Sequence, residues 1–331
     1  MRYIDAFNHF FPMSFFERIG TQDLGKRMRG IPAIYDIEKR LRIVESFDGY
    51  AQVLSLAMAV EAVAGPEASP ELARIANDGL AEIVAKYPHH FVGYVASLPL
   101  NAPEAAAKEA ERVLQAGANG LQIYSNVNGL PLDDERFTPI FEIGHRFDKP
   151  FLLHPARGPN IADYRNEQRS RYEIWTILGW PFDTSVAMAR LVFSGITTRL
   201  RGLKILVHHL GAMIPFFEAR IGEGWDQLGT RTSDEDYRPV LAMLGRRPVD
   251  CFRDFYGDTA LCGSRAGIIC GLDFFGADHV LFASDSPFDP EGGPRWIRTT
   301  IDILDRLEIP EKARAKICFR NAEKLFGLAA R

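Results

Sequence analysis

The chain has 331 residues, of which 25% are charged and 47% are hydrophobic, and its formal net charge is −4. This composition is ordinary for a globular protein, and the small excess of acid argues against a nucleic-acid or anionic-membrane partner. No apolar run approaches 18 residues, which argues against a membrane span. Met1 leads directly into strand-like sequence without the apolar segment of a signal peptide. We therefore expect a cytoplasmic protein.

Apolar runs with the character of strands alternate with helical segments along the chain. Eight such runs predict strands, at Arg2–Ala6, Ala51–Leu56, Phe91–Ala96, Gly120–Ile123, Pro150–Leu153, Lys204–Val207, Phe255–Asp258 and Val280–Ala283. Apolar residues at i, i+3 and i+4 spacing predict helices between them and a closing helix. These helices are Pro70–Tyr87, Pro103–Ala116, Asp134–Arg146, Asp183–Gly195, Ala212–Gly224, Arg265–Phe275, Gly293–Leu307 and, last, Pro310–Phe326.

The alternation predicts one fold class. Strands that alternate with helices pair in parallel through βαβ units, and eight of them at this chain length favour a (β/α)8 TIM barrel over an open sheet. We interpret residues 1–331 as a single barrel domain. Phe10–Arg40 and Ala156–Phe182 exceed ordinary connections and are predicted to be insertions after strands one and five. Both would lie at the C-terminal face, where they could cap a pocket.

Four predicted strands end in residue types that bind metals. His9 follows strand one, His154 follows strand five, His208 and His209 follow strand six, and Asp285 follows strand eight. The carboxyl ends of barrel strands meet at one mouth, so these side chains are expected to converge. Histidine and carboxylate together suit a divalent cation, and three protein ligands plus water are typical of a catalytic site. His208 is expected to point away from His209 along an extended strand and to have a packing role.

The sequence resembles the amidohydrolase-2 family of the amidohydrolase superfamily, in the branch of aminocarboxymuconate semialdehyde and γ-resorcylate decarboxylases. The resemblance runs nearly end to end. Besides the strand ends it includes five motifs, namely Gln52–Ser55 (QVLS), Ala96–Leu100 (ASLPL), Gly120–Gly129 (GLQIYSNVNG), Trp180–Thr184 (WPFDT) and Asn321–Phe326 (NAEKLF). This resemblance implies a barrel enzyme with a divalent metal (Zn, Mn or Mg), a small carboxylic acid as substrate and a homodimeric assembly.

The resemblance also implies roles for individual residues. His9 and His154 match metal ligands, Asp285 matches a ligand that also handles a proton, and His209 matches a catalytic acid or base. Phe7 stands where the relatives carry a further histidine or glutamate ligand. The site is therefore either a metal centre with the three ligands His9, His154 and Asp285, or a metal-free acid–base cluster. We favour a bound metal.

Substrate contacts are predicted from residue type and from the same resemblance. Arg40 and Arg42 precede strand two, in a stretch that resembles a substrate-binding segment of the family. Arg220 lies in a later helix that resembles another such segment, one contributed across a dimer. A guanidinium pairs two carboxylate oxygens, although most arginines are solvated surface residues. Phe7 and Trp180 are candidates for contact with a substrate ring, and packing in the core is the alternative.

Three functional hypotheses follow. The first is a metal-dependent non-oxidative decarboxylase of an aromatic or unsaturated carboxylic acid, in which the metal chelates the substrate. The second is a hydrolase or hydratase in which His209 activates a metal-bound water against a lactone, a C–C bond or a double bond. The third is a barrel without metal that binds a ligand without turnover, for which Phe7 is the only support.

Overall fold

Eight parallel strands form one sheet in the computed structural model, which describes residues 1–232 and 235–329. In chain order, strands one to eight are Tyr3–His9, Tyr50–Ser55, Phe91–Ser97, Gly120–Tyr124, Phe151–His154, Ile205–Val207, Tyr256–Asp258 and Val280–Leu281. The Ala6 amide donates to the Phe282 carbonyl, and the His9 amide donates to the Ser286 carbonyl, both at 2.9 Å. These bonds join the two ends of the sheet, and the predicted (β/α)8 barrel is confirmed.

Helices connect the strands on the outside of the barrel. The α-helices are Met13–Ile19, Asp23–Met28, Ile37–Glu45, Ser69–Lys86, Pro103–Gln115, Thr138–Arg146, Ile174–Ile177, Gly179–Phe193, Ile196–Arg199, Glu218–Asp226, Arg238–Leu244, Pro248–Phe252, Arg265–Phe275, Pro294–Arg306, Glu311–Ala315 and Asn321–Phe326. Short 3-10 turns occur at Pro32–Ile34, Val60–Ala62, Glu135–Phe137 and His209–Gly211. Among the described residues no helix is long and apolar enough to cross a bilayer.

Two predicted helices differ from the structure. The helix predicted at Ala212–Gly224 begins only at Glu218, because the chain before it turns through left-handed backbone at His209, Leu210 and Ala212. The closing helix is interrupted by a π-helical turn at Lys316–Arg320. The first difference matters for function, because the turn determines the direction in which the side chains after strand six point.

Alternation along the strands divides the core into an inner and an outer layer. In strand four, Leu121 and Ile123 pack into the outer layer against the helices. By the period-two rule, Gln122 and Tyr124 therefore face the barrel interior. The inner layer is a separate apolar cluster that includes Phe7, Val53, Val95, Leu152, Leu206 and Leu281. Burying each such side chain contributes roughly 1.5–3 kcal/mol and fills the barrel below its mouth.

A buried carboxylate ties three strands together beneath the mouth. Asp5 is fully buried and accepts hydrogen bonds from the Phe7 amide (3.2 Å), the Ser284 amide (3.2 Å) and the Tyr50 hydroxyl (2.5 Å). Burial raises the pKa of Asp5 to about 6, although these hydrogen bonds oppose the change. The network fixes the ends of strands one and eight, from which His9 and Asp285 project.

Candidate active site

Three histidines converge inside the mouth of the barrel. His9, His154 and His208 are all buried, and each offers a ring nitrogen that lies within 4.8 Å of the others. They come from the ends of strands one, five and six. The expected convergence of His9 and His154 is thus present, together with a third imidazole that the sequence analysis had assigned to packing.

The expected direction of His208 is wrong. Nε2 of His208 lies 3.3 Å from Oδ1 of Asp285, and Nε2 of His209 lies 3.7 Å from Oδ2 of the same carboxylate. Strand six ends at Val207, and His209 has a φ of +57°, so the alternation of an extended strand no longer applies. Both neighbouring histidines therefore face the mouth, with ring centroids 3.9 Å apart.

Each of the three clustered imidazoles is oriented from behind by an acceptor. Nδ1 of His9 lies 3.0 Å from the Leu56 carbonyl, and Nδ1 of His154 lies 2.7 Å from the Pro155 carbonyl. Nδ1 of His208 lies 2.6 Å from Oδ2 of Asp258. Because carbonyl oxygens only accept, Nδ1 of His9 and His154 must donate, which leaves the Nε2 lone pair of the neutral ring free. Such second partners are usual for metal-binding histidines.

The donor atoms of the cluster fit a divalent cation. Nε2 of His9 and Nε2 of His208 have no hydrogen-bond partner among the described residues, although both lie close to Oδ1 of Asp285, at 3.1 and 3.3 Å. A buried polar atom without a partner costs about 1–3 kcal/mol. Imidazole nitrogens together with a carboxylate oxygen form a ligand set suited to Zn or Mn, which would satisfy these atoms together.

The electrostatics of the cluster are dominated by Asp258 and Asp285. Burial alone would lower the pKa of His208, but the two carboxylates outweigh it and raise the pKa to about 10. Burial and the neighbouring imidazoles lower the pKa of His154 well below its ordinary value. Burial would raise the pKa of Asp285, but the nearby charge of His208 holds it well below the usual range.

Asp258 is a residue that the sequence analysis did not single out. It is fully buried at the end of strand seven, where Oδ2 holds His208 and Oδ1 accepts from the Ala260 amide at 3.0 Å. A carboxylate behind an imidazole makes the ring a better ligand and fixes its direction. The signal in the sequence was an aspartate at the end of the predicted strand Phe255–Asp258.

Aromatic rings enclose the cluster from two sides. Phe7 is fully buried and stacks on His208, with centroids 4.0 Å apart and an angle of 24° between the planes. It therefore lies under the imidazoles, which is a packing position, and does not reach the open mouth as a substrate contact would. Trp180 lies at the mouth, 5.5 Å from the His154 ring, and its indole donates to the Arg157 carbonyl at 2.9 Å.

Within a single chain, the predicted arginines do not reach the cluster. Arg40 is fully buried and donates to the Ala33 carbonyl (3.0 Å), to Oε1 of Gln52 (3.2 Å) and to the His9 carbonyl. Its donors face protein acceptors, so it supports the end of strand one from behind instead of binding a substrate. Arg42 is exposed on the helix Ile37–Glu45. Arg220 is exposed beside a separate cavity of about 920 Å³ that none of the clustered histidines lines.

Two known proteins are similar in sequence to this chain over most of its length. γ-Resorcylate decarboxylase of Polaromonas sp. (strain JS666) is 33% identical over 301 residues, which cover 88% of this chain and 87% of that protein. 2-Amino-3-carboxymuconate-6-semialdehyde decarboxylase of Dictyostelium discoideum is 32% identical over 269 residues, covering 80% and 70% of the two chains.

A solved structure shows the same architecture. The dihydroxybenzoic acid decarboxylase from Polaromonas sp. JS666, determined with bound manganese and the inhibitor 2-nitroresorcinol, matches with a TM-score of 0.77 and 28% identity, covering 100% of this chain and 98% of that one. The amidohydrolase family model matches residues 4–328. The chain therefore belongs to the amidohydrolase family.

Proposed function

We propose that this protein is a metal-dependent, non-oxidative decarboxylase of an aromatic hydroxy acid. The observation that carries the proposal is the cluster of three buried imidazoles, two of which lie 3.1 and 3.3 Å from Asp285, in a chain whose relatives are decarboxylases. His208 supplies the ligand that Phe7 removes from strand one. The number of protein ligands would thereby be kept while one of them comes from strand six.

The three imidazoles of His9, His154 and His208 would hold the divalent metal. Asp285, which lies 3.1 Å from His9 and 3.3 Å from His208, would be the fourth ligand. When bound, the metal would act as a Lewis acid toward the substrate carboxylate and the neighbouring hydroxyl oxygen on the ring. The manganese in the Polaromonas structure makes Mn²⁺ the first cation to test, with Zn²⁺ and Mg²⁺ as alternatives.

His209 and Asp285 are the proposed proton-transfer pair. Nε2 of His209 lies 3.7 Å from Asp285 Oδ2, and the His209 side chain is 15% exposed, so it is accessible from the mouth. The pair delivers a proton to the ring carbon that carries the carboxylate. The C–C bond then breaks, its electron pair returns to the ring, and CO2 leaves. Trp180 lies 6.4 Å from the His209 ring and would limit the access of water from this side.

The test is CO2 release from manganese-loaded protein, with 2,6-dihydroxybenzoate and muconate-type acids as substrates and His154→Ala as the ligand variant. We expect CO2 release that requires metal and that His154→Ala abolishes. Hydrolysis of lactones without CO2 release would instead support the hydrolase hypothesis. A protein that takes up no metal and is unaffected by His154→Ala would overturn both metal mechanisms.

We also propose that the protein forms a homodimer through the face around the 920 Å³ cavity. Phe182, which lines the cavity together with Arg220, is 53% exposed. Phe216 is 77% exposed, and its ring lies 5.1 Å from that of the lining residue Phe217. An exposed apolar surface of this kind is typical of protein contacts. Light scattering should give twice the chain mass, and Phe216→Asp should shift the mass toward that of the monomer.

A further inference from the structure

A cavity of about 600 Å³ lies on the same face of the barrel as the mouth but apart from the histidine cluster. Its walls are the turn after strand two, segments 125–132 and 156–161 after strands four and five, and the helix Gly179–Phe193. The described residues that line it include none of the clustered histidines and not Asp285. Its volume is typical of sites for small molecules. The cavity is therefore a candidate for a second binding site.

Glu61 presents a buried carboxyl group to this cavity. The residue lies in the 3-10 turn Val60–Ala62, lines the cavity and is only 7% exposed. Neither of its carboxyl oxygens has a hydrogen bond of normal geometry with any described residue. Burial raises the pKa of Glu61 to about 7, and the backbone amides of Glu61 and Leu100 oppose this only in part. Buried polar groups are nearly always paired, so this carboxyl group points to a partner from outside the chain.

The other charged side chains that line the cavity already have partners of opposite charge. They are Arg157, Asp183 and Arg190. Nη1 of Arg157 lies 3.1 Å from Oδ1 of Asp183, and Arg190 pairs with Asp133 at 3.0 Å. Among the described residues that line the cavity, Glu61 is thus the charged group whose partner must be a ligand.

These charges select the chemistry of the ligand. An anion would be repelled by ionised Glu61 and would find both arginines occupied. A primary ammonium group carries three N–H donors, so it can pair with both carboxyl oxygens, and such charge-assisted hydrogen bonds are roughly twice as strong as neutral ones. Leu132, Val186 and Ala187 line the same cavity, and their apolar side chains suit a short alkyl chain.

We propose that this cavity binds a small organic cation, a primary alkylammonium whose N–H groups donate to the Glu61 carboxylate. The cavity is separate from the histidine cluster, so the proposal does not depend on the proposed function. Its wall is nevertheless connected to the mouth, because the Arg157 carbonyl accepts from the Trp180 indole at 2.9 Å.

Calorimetric titration of the full-length protein with n-butylammonium tests the proposal at about pH 8, where Glu61 is ionised. n-Butanol has the same number of heavy atoms and is the uncharged counterpart. Tetramethylammonium chloride, which has no N–H donor, keeps the ionic strength constant. We expect n-butylammonium to bind with a Kd of about 1 mM or below, and n-butanol to bind at least about tenfold more weakly.

Glu61→Gln should weaken the binding of n-butylammonium at least about tenfold, because it removes the charge and keeps the size of the side chain. Glu82→Gln is the matched control, since Glu82 is exposed on the helix Ser69–Lys86 and its replacement should leave the affinity unchanged. Saturating manganese should also leave the affinity unchanged, because the metal would occupy the histidine cluster and not this cavity.

Four results would each overturn the proposal. The first is the absence of saturable n-butylammonium binding, and the second is equal binding of n-butanol. The third is an affinity that Glu61→Gln does not change or that manganese reduces by competition, since the ammonium group would then bind elsewhere. The fourth is Glu61-dependent binding of potassium ions with the same affinity, which would make the cavity a site for alkali cations.

Discussion

At the scale of single residues, the central exchange is between Phe7 and His208. The Phe7 ring stacks at 4.0 Å on His208, the imidazole that we propose as a metal ligand in place of a ligand from strand one. The stack and the Asp258 carboxylate hold His208 from two sides. In this proposal, the residue that made the site look incomplete in the sequence helps to position a different ligand.

His208→Ala should weaken manganese binding by at least about 100-fold, because it removes one of three imidazoles and leaves the Asp258 carboxylate without its partner. Titration calorimetry measures the change. His89→Ala is the control, since His89 is exposed and far from the cluster in sequence. Unchanged affinity in His208→Ala would mean that the cation is held by His9, His154 and Asp285 alone, as the sequence first suggested.

Asp258→Asn tests the residue behind His208. The amide keeps the size of the side chain but removes the negative charge that orients the ring and raises its basicity. We expect manganese affinity to fall by about 10- to 100-fold. The variant should remain folded by circular dichroism. Affinity equal to that of the unaltered protein would show that His208 is oriented by Phe7 alone.

Glu61 should make the free energy of unfolding depend on pH. Its pKa is 4.5 in the unfolded chain and about 7 in the folded protein. The folded state therefore binds more protons between these values, and stability is lost as pH rises from about 4.5 to about 7. Glu61→Gln removes this loss, so relative to the unaltered protein it should gain roughly 2 kcal/mol between pH 5 and pH 8.

Urea denaturation at the two pH values measures this difference. Glu82→Gln on the helix Ser69–Lys86 is the matched control, because Glu82 is exposed. A constant difference between Glu61→Gln and the unaltered protein across this pH range would contradict the burial of Glu61 as a neutral acid.

The sequence could identify some site residues and not others, for a physical reason. His9, His154 and Asp285 directly follow apolar runs, so their positions at the mouth depend only on where strands end. His208 and Asp258 could not be recognised in this way. Their roles depend on the left-handed backbone at His209, which turns both histidines inward, and on a contact between neighbouring strands.

At the scale of secondary-structure elements, the turn at His209–Gly211 directs the two histidines toward the mouth. The helix Arg265–Phe275 packs against this turn and supports it. A Cβ atom on Gly271 of that helix would lie only 2.2 Å from Cγ and Cδ2 of Leu210. Leu210 itself has a φ of +52°, so the turn is held in place by its packing. The absence of a side chain at Gly271 is what allows the helix to lie this close.

Gly271→Ala should therefore destabilise the protein by about 1–3 kcal/mol through overpacking, and should reduce CO2 release by displacing His209. Gly224→Ala is the matched control. It lies within the helix Glu218–Asp226 with no atom near its added Cβ, so alanine should stabilise it by up to about 1 kcal/mol. Urea denaturation and CO2 assays on both variants test this. If Gly271→Ala also stabilises, the turn is not held by this contact.

Elements with simple periodicity were predictable, and elements set by unusual backbone were not. The helix Arg265–Phe275 has its predicted bounds, because Ser264 caps its start and Gly276 ends it. The helix predicted from Ala212 begins six residues later. Apolar spacing continues through that stretch, but the turn before it has positive φ values up to Ala212, which a helix cannot contain.

At the scale of the whole molecule, parallel barrel topology brings the site together. Residues as distant in sequence as His9 and Asp285 approach to 3.1 Å because strands one and eight are joined by hydrogen bonds. Eight alternating units were enough to predict this closure from sequence. The approach of His208 to Asp285 was not predictable, because it depends on the positive-φ turn that follows strand six.

Anomalous diffraction from crystals of the manganese-loaded protein tests the central claim most directly. We predict one strong manganese peak about 2.0–2.3 Å from Nε2 of His9, His154 and His208, with Asp285 completing the protein ligands. A peak that His208 does not contact, or no peak at the cluster at saturating manganese, would contradict the claim that strand six supplies the ligand that Phe7 displaces.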